Sequence, residues 1–258
     1  MVFSEPYLSI WSTFGLTGYW SFESTHSHVR LSLTFKNVIL DSISNENFQN
    51  TNSEIITLYY CDPRNFGNIR ISSNPLELQD KLVKLGRDWL SSSNLLNLDN
   101  IYFKSKNNTS TNKESPLTLS EFTSLGKLAG AKKRPLCIFL MDQTKTCGIG
   151  NYILSEALYI AGIHPFACTS ALNDSSWESL YNAIHLVITS SYISQSPFKS
   201  LYVKSSKIQQ SPYLHQNFEF LIYSRKKTKD RGNSVKRETG THKRSIHWDP
   251  LTQIIHTP

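Results

Sequence analysis

The sequence predicts an α+β chain in which strands come first, helices follow and a short β-ribbon closes. Three observations carry this expectation. Residues 29–35, Val-Arg-Leu-Ser-Leu-Thr-Phe, alternate apolar and polar with the period of a strand. Residues 119–188 repeat apolar side chains at helical spacing between glycine and proline stops. Residues 218–248 return to short apolar runs interleaved with Arg and Lys.

In chain order, residues 7–11 alternate loosely as a first strand. Residues 16–22 form a second with Gly18 as a bend, and residues 29–35 and 55–60 form two more. The polar stretch 41–53 reads as a loop and Asp62-Pro63-Arg64-Asn65-Phe66-Gly67 as a turn before a strand at 68–71. A short helix from Pro75 to Leu85 stops at Gly86. The stretch 91–116 breaks the pattern, and its Ser-, Asn-, Thr- and Lys-rich part from Lys104 to Ser115 reads as a flexible linker. A helix over 119–128 closes at Gly130, and Pro135 suits the first turn of the next, which runs to Asp142. Gly148-Ile149-Gly150-Asn151 then leads into a helix over 152–161, with Ile153, Leu154, Ala157, Leu158 and Ala161 on one face. Gly162 and Pro165 end it, and His164 is expected to cap that end. Ser175-Ser176-Trp177-Glu178 reads as a capping box opening a helix whose stripe is Trp177, Leu180, Ile184, Val187 and Ile188. Residues 218–223 read as a strand, Arg231-Gly232-Asn233 as a hairpin turn and residues 243–248 as the returning strand.

Composition narrows the function classes. The chain has 258 residues, 27 basic and 20 acidic, hence a formal net charge of +7, and 12% aromatics. That balance points to a polyanion, nucleic acid ahead of membrane. The longest apolar run, residues 136–141, is too short to span a bilayer, and no charged start leads into an apolar signal core. The four cysteines, Cys61, Cys137, Cys147 and Cys168, lack CxxC spacing and read as reduced thiols of an intracellular protein. His26 and His28 alternate along a strand and read as structural rather than as metal ligands.

Two glycines at a helix start bring the backbone close to a ligand, and the free N–H groups with the helix dipole favour a phosphate. Asn151 adds a side-chain amide to that turn. From these four residues alone, a tight turn without ligand remains the commoner reading. The wider string of residues 140–143, 148–152, 156–158 and 161–165 closely resembles the helix–two-turn–helix element of the formamidopyrimidine-DNA glycosylase / endonuclease VIII family. Residues 14–18, the Asp62–Gly67 turn and residues 225–248 resemble, in order, that family's strand-end loop, its D-P-R-x-F-G loop and its C-terminal finger.

This resemblance implies roles. Asn151 and Arg244 would hold the phosphates flanking a lesion, with Lys132 and His26 as further phosphate contacts. Arg64, Phe66 and Leu16 would fill the gap left by an extruded base. From spacing alone, Phe66 reads equally as a core aromatic, Arg64 as a solvated cation, and Lys132-Lys133-Arg134 as a solvated face. The finger region holds no cysteine, similar to the zincless fingers of some family members, so neither zinc nor any other cofactor is expected.

The family's N-terminal Pro-Glu start, whose proline amine forms the Schiff base, has no counterpart in Met1-Val2-Phe3-Ser4-Glu5-Pro6. No catalytic residue transfers, and an incomplete gene model lacking the first strands is the favoured explanation. The architecture expected is a partial β-sandwich over 1–95, a linker over 96–116, a helix–two-turn–helix domain over 117–215 and a zincless β-hairpin finger over 216–258. The function implied is a base-excision DNA glycosylase and abasic-site lyase acting on duplex DNA with an oxidised base or abasic site. The alternative is a non-catalytic damaged-DNA or structure-specific binder. A nuclear or mitochondrial monomer with no membrane partner is expected.

Overall fold

A computed structural model describes residues 2–4, 7–14, 18–23, 27–35, 55–89, 116–130, 133–195, 218–240 and 244–255. The expected loop at 41–53 and the linker up to residue 115 lie outside them. The chain divides into two units, Met1–Val83 and Lys84–Pro258. This boundary gives residues 84–89, expected in the first domain, to the second.

The first unit is built from two antiparallel three-stranded sheets. One orders β1 (Val2–Ser4), β2 (Tyr7–Thr13) and β6 (Asn68–Ser72) as β1-β2-β6. The other orders β3 (Tyr19–Ser21), β4 (Val29–Phe35) and β5 (Ile56–Cys61) as β3-β5-β4. Strand β4 alternates half-buried and exposed residues along its whole length, as its sequence requires. Two polar bonds join the sheets. The Tyr60 hydroxyl of β5 donates to the Thr13 carbonyl of β2 at 2.9 Å, and the Trp20 indole N–H donates to Ser12 Oγ at 3.0 Å. Phe14 stacks on Tyr60 at 5.5 Å between ring centroids. Helix α1 (Pro75–Val83) follows β6 and buries no residue completely. His28 lies in the turn before β4, not in a strand, and its carbonyl accepts from the Asp62 N–H at 3.1 Å.

The second unit holds α2 (Leu119–Gly130), α3 (Leu136–Met141), α4 (Asn151–Ile160), a 3-10 turn (Thr169–Ala171), α5 (Asp174–Gln195) and the antiparallel pair β7 (Lys236–Thr239) and β8 (Ser245–Trp248). Trp89, Phe122, Phe139 and Trp177 build the centre of its core. Phe122 makes edge-to-face contacts with Trp89 at 5.1 Å and with Trp177 at 5.3 Å. The stripe expected on α5 is buried throughout: Trp177, Leu180, Ile184, Val187 and Ile188.

Several sequence expectations are corrected. Helix α5 is capped by Asn173, whose Oδ1 accepts the Ser176 N–H at 2.8 Å, so Ser175 and Ser176 lie inside the first turn and form no capping box. Pro135 is the N-cap of α3 rather than part of its first turn, with extended backbone. Helix α2 includes Gly130 rather than closing before it. His164 caps no helix. Its Nδ1 accepts the Phe166 N–H at 3.2 Å, and its ring packs edge-on against Trp248 at 4.3 Å. Residues 218–223 are not a strand, because their N–H groups turn onto a buried carboxylate. The Arg231-Gly232-Asn233 turn exists, with Gly232 at φ +72°. The β7–β8 hairpin, however, closes after Gly240, whose N–H donates to the Arg244 carbonyl at 3.0 Å.

Two outcomes follow from the second unit's packing. A Cβ at Gly126 of α2 would overlap the Trp177 indole. Gly126→Ala should therefore lower stability by about 1–3 kcal/mol through overpacking, although alanine favours a helix by about 1 kcal/mol. Thermal unfolding of the pair of proteins checks this. His164, His185 and His247 all have pKa values pushed down, in each case chiefly by burial. The unfolded chain then binds more protons than the fold wherever pH lies between these lowered values and the ordinary histidine range. Stability contributed by the neutral rings is complete above that range and lost as pH falls through it. The melting temperature should drop between pH 7 and pH 5, and His185→Gln should flatten that drop.

Candidate nucleic-acid interface

The glycine turn is held by one side chain. Gln143 Oε1 accepts the Gly148 N–H at 2.9 Å, and its Nε2 donates to the Ile149 carbonyl at 2.9 Å and the Met141 carbonyl at 3.3 Å. Gly148 takes φ +91°, a left-handed conformation that favours glycine. Gly150 is the extended N-cap of α4, and no side chain caps that end. The first-turn N–H groups of Asn151, Tyr152 and Ile153 thus sit at the positive end of a ten-residue helix. Among the described residues other than its chain neighbours, nothing lies within 4 Å of where a Cβ on Gly150 would stand.

Asn151 and Arg244, singled out separately in the sequence, are brought together. Asn151 Nδ2 donates to the Ser245 carbonyl at 2.6 Å, which ties the start of α4 to the start of β8, and exposed Arg244 immediately precedes that residue. The Asn151 side chain is therefore already engaged as a brace, and its Oδ1 is buried without a partner among the described residues. Below it, Glu156 is completely buried and accepts three consecutive backbone N–H groups, Leu221 at 2.8 Å, Ile222 at 2.9 Å and Tyr223 at 2.8 Å. From this anchor the chain carries Arg225, Lys226, Lys227, Arg231, Lys236 and Arg237 toward the hairpin. The turn between them is closed by Thr228 and Asn233, and Asn233 Nδ2 donates to Asp249 Oδ2 at 2.8 Å. Burial would raise the Asp249 pKa, but hydrogen bonds from Asn233, the Leu251 N–H and Thr252 outweigh it and hold the carboxylate low.

In the first unit, buried Asp62 organises its own loop. Its Oδ2 accepts the Gly67 N–H at 2.7 Å and its Oδ1 the Arg64 N–H at 3.3 Å. Gly67 is required, since a Cβ there would overlap the Tyr60 hydroxyl and lie 2.6 Å from the Thr13 carbonyl oxygen. Phe66 is 68% exposed, which excludes the core alternative. The Arg64 guanidinium sits 5.0 Å from the Phe66 ring centroid, so the two form one exposed cation–π unit. Leu16, His26 and Lys132 lie outside the described residues.

Sequence reasoning missed two supports. One is Gln143, noticed only as part of a string. The other is the segment Gly86–Trp89, which threads beside the turn: the Gly86 N–H donates to the Gln143 carbonyl at 2.8 Å, and the Cys147 N–H donates to the Arg87 carbonyl at 3.1 Å. Arg87 pairs with Glu121 of α2. Gly86, taken only as a helix stop, has the Lys145 carbonyl where a Cβ would stand, which was its signal. Among the described residues, no three His, Cys, Asp or Glu cluster as metal ligands, and no helix is long and apolar enough to cross a membrane.

Residues 115–197 match the formamidopyrimidine-DNA glycosylase H2TH domain. The chain is 31% identical over 134 residues to a formamidopyrimidine-DNA glycosylase of Arabidopsis thaliana, covering 52% of this chain and 27% of that protein. It is 43% identical over 54 residues to endonuclease 8-like 2 of Mus musculus, covering 21% of this chain and 16% of that protein. This chain thus spans less than a third of the length of either relative. Its fold resembles that of Lactococcus lactis formamidopyrimidine-DNA glycosylase in a complex with FAPY-dG-containing DNA. The TM-score is 0.60 at 18% identity, covering 95% of this chain and 75% of that one.

Replacing Gln143 removes the clamp and leaves the Gly148 N–H without its acceptor. Gln143→Leu should cost about 1–3 kcal/mol of stability and loosen the turn. Hydrogen exchange at the 148–151 amides, faster in the variant, checks this.

Proposed function

We propose that this chain, a member of the formamidopyrimidine-DNA glycosylase / endonuclease VIII family, grips duplex DNA at an oxidised base or abasic site in base-excision repair. The observation that carries the reading is the joined pair of phosphate-seeking groups. The uncapped start of α4 and exposed Arg244 are held together by the Asn151–Ser245 hydrogen bond. Backbone N–H groups and a guanidinium favour phosphate oxygens without reading sequence. Lys132 and His26 are assigned further phosphate contacts by the resemblance alone.

Arg64 and Phe66 supply discrimination. Extruding a nucleotide costs a few kcal/mol of stacking, least at a damaged or abasic position. An exposed ring backed by a guanidinium offsets part of that loss by replacing the missing base. Leu16 completes this set. The helices around the glycine turn act as a helix–two-turn–helix element. The hairpin acts as a finger without zinc, and the turn that leads into it is held by Thr228, Asn233 and Asp249. The action is intracellular, in the nucleus or mitochondrion, and the working form is a monomer.

The second reading is a binder without chemistry, and one experiment separates the two. The full chain is incubated with a duplex carrying one abasic site, reduced with borohydride and run beside a gel-shift. A trapped covalent adduct establishes the lyase, a shift without an adduct establishes the binder, and no shift overturns both.

Asn151→Ala and Arg244→Ala should weaken binding to intact and damaged duplexes alike, by roughly tenfold each. Arg244→Ala should also reduce the slope of log affinity against log salt by about 1. Arg64→Ala should leave binding to intact duplex unchanged and erase the preference for abasic DNA. Fluorescence anisotropy at several salt concentrations checks all three.

A further inference from the structure

The turn that carries Arg64 and Phe66 is fastened to β4 and the turn before it by two bonds. The Asp62 N–H donates to the His28 carbonyl at 3.1 Å, and Arg30 Nε donates to the Asp62 carbonyl at 3.1 Å. The second bond goes with an irregularity of the sheet. Val29 pairs with Cys61 and Leu31 with Tyr60, so Arg30 is one extra residue on β4 with no partner opposite it in β5. Such a bulge re-aims a side chain and is common beside functional sites. Here it accompanies a guanidinium placed at the root of the exposed loop.

Arg30 is exposed. Asp62, the acid beside it, directs its carboxylate to its own loop, Oδ1 taking the Arg64 N–H and Oδ2 the Gly67 N–H. Among the described residues Arg30 forms no ion pair, and the Nε bond is the contact its guanidinium makes. The two Nη groups of a guanidinium form a planar fork of N–H donors that matches a pair of phosphate oxygens. With Nε already tied to a carbonyl, that fork is held in place beforehand, and little side-chain freedom is lost when an anion arrives.

We propose that Arg30 contacts a DNA backbone phosphate beside the position that the Arg64–Phe66 pair probes. The contact rests on the duplex-binding reading and is separate from the phosphate contacts that the resemblance supplies. A phosphate carries no sequence information, so the contact sets the register and depth at which Phe66 meets the base stack.

The full chain is titrated with an intact duplex and with a duplex carrying one abasic site, and anisotropy is read at several salt concentrations. Arg30→Gln should weaken binding to both by about fivefold at low salt and lower the slope of log affinity against log salt by about 1. Arg30→Lys keeps the charge and should restore the wild-type slope. Arg70→Gln is the control, because Arg70 of the same unit is already paired with Glu77 at 3.1 Å, and should leave the slope unchanged. Far-ultraviolet circular dichroism and melting curves confirm that each variant is folded. An unchanged slope in folded Arg30→Gln overturns the proposal even if the preference for abasic DNA falls, because a mere brace of the Asp62 loop alters that preference without altering counterion release. An equal fall in slope in Arg30→Lys or in Arg70→Gln overturns it as well. A wild-type chain that binds neither duplex overturns the duplex-binding reading and this contact with it, whereas a wild-type chain that binds with the slope of Arg30→Gln overturns this contact alone.

Discussion

The buried carboxylate of Glu156 is the constraint on which the second unit's C-terminal part depends. Taking an ionised carboxylate out of water costs several kcal/mol unless its lone pairs are met. Three successive N–H groups, from Leu221 to Tyr223, meet them at 2.8–2.9 Å. Those amides cannot then serve a strand ladder. Residues 218–223 therefore wrap onto α4, and the hairpin is delivered from a fixed point. The rest of the same helix continues the pattern. Asn151 holds the Ser245 carbonyl, the Ser155 hydroxyl receives the His247 N–H at 3.4 Å, and the Tyr159 hydroxyl donates to Asp230 at 2.7 Å. Positions four apart stack on one side of a helix. One polar stripe of α4 thus fastens the C-terminal segment, while Leu154, Ala157 and Leu158 are buried in the hydrophobic core.

That stripe also explains what the sequence discloses and what it conceals. Periodicity reports burial, so the α5 stripe from Trp177 to Ile188 and the alternation of β4 were legible, because both depend on apolar residues at fixed spacing. It does not distinguish an apolar run that pairs in a sheet from one whose amides close on a carboxylate sixty-five residues earlier. Phe218-Glu219-Phe220-Leu221-Ile222-Tyr223 has the composition of a strand, but the N–H groups of its last three residues go to Glu156. The start of α5 fails for a related reason. Asn173, Asp174, Ser175 and Ser176 are all capping residue types, and the choice among them rests on one hydrogen bond that spacing cannot select.

Two loops, one in each unit, were more legible than the fold around them because each is locally determined. Asp62 reaches N–H groups two and five residues ahead, and Gln143 reaches groups five and six residues ahead. Each loop is a short string whose own side chain organises its own backbone, so its residues stand close together in sequence. Arg64, Phe66 and Asn151 were singled out through a resemblance that such strings carry. The brace from Asn151 to Ser245 spans ninety-four residues and has no trace in either string.

The same construction divides the work of binding. A loop held by its own side chain loses little conformational freedom when a ligand arrives, so more of each contact appears as affinity. At the start of α4 the contacts on offer are backbone N–H groups beside an arginine, and phosphates present the same oxygens at every base pair. In the proposed function that grip strengthens binding without distinguishing sites. In the proposed function, discrimination falls to groups that respond to a missing or unstacked base, and the exposed Phe66 ring with Arg64 against it is assigned that part. Asp62 holds this pair in place, and Gly67 lets the loop return against Tyr60 and Thr13. A buried aspartate and a glycine thereby set the presentation of an exposed aromatic.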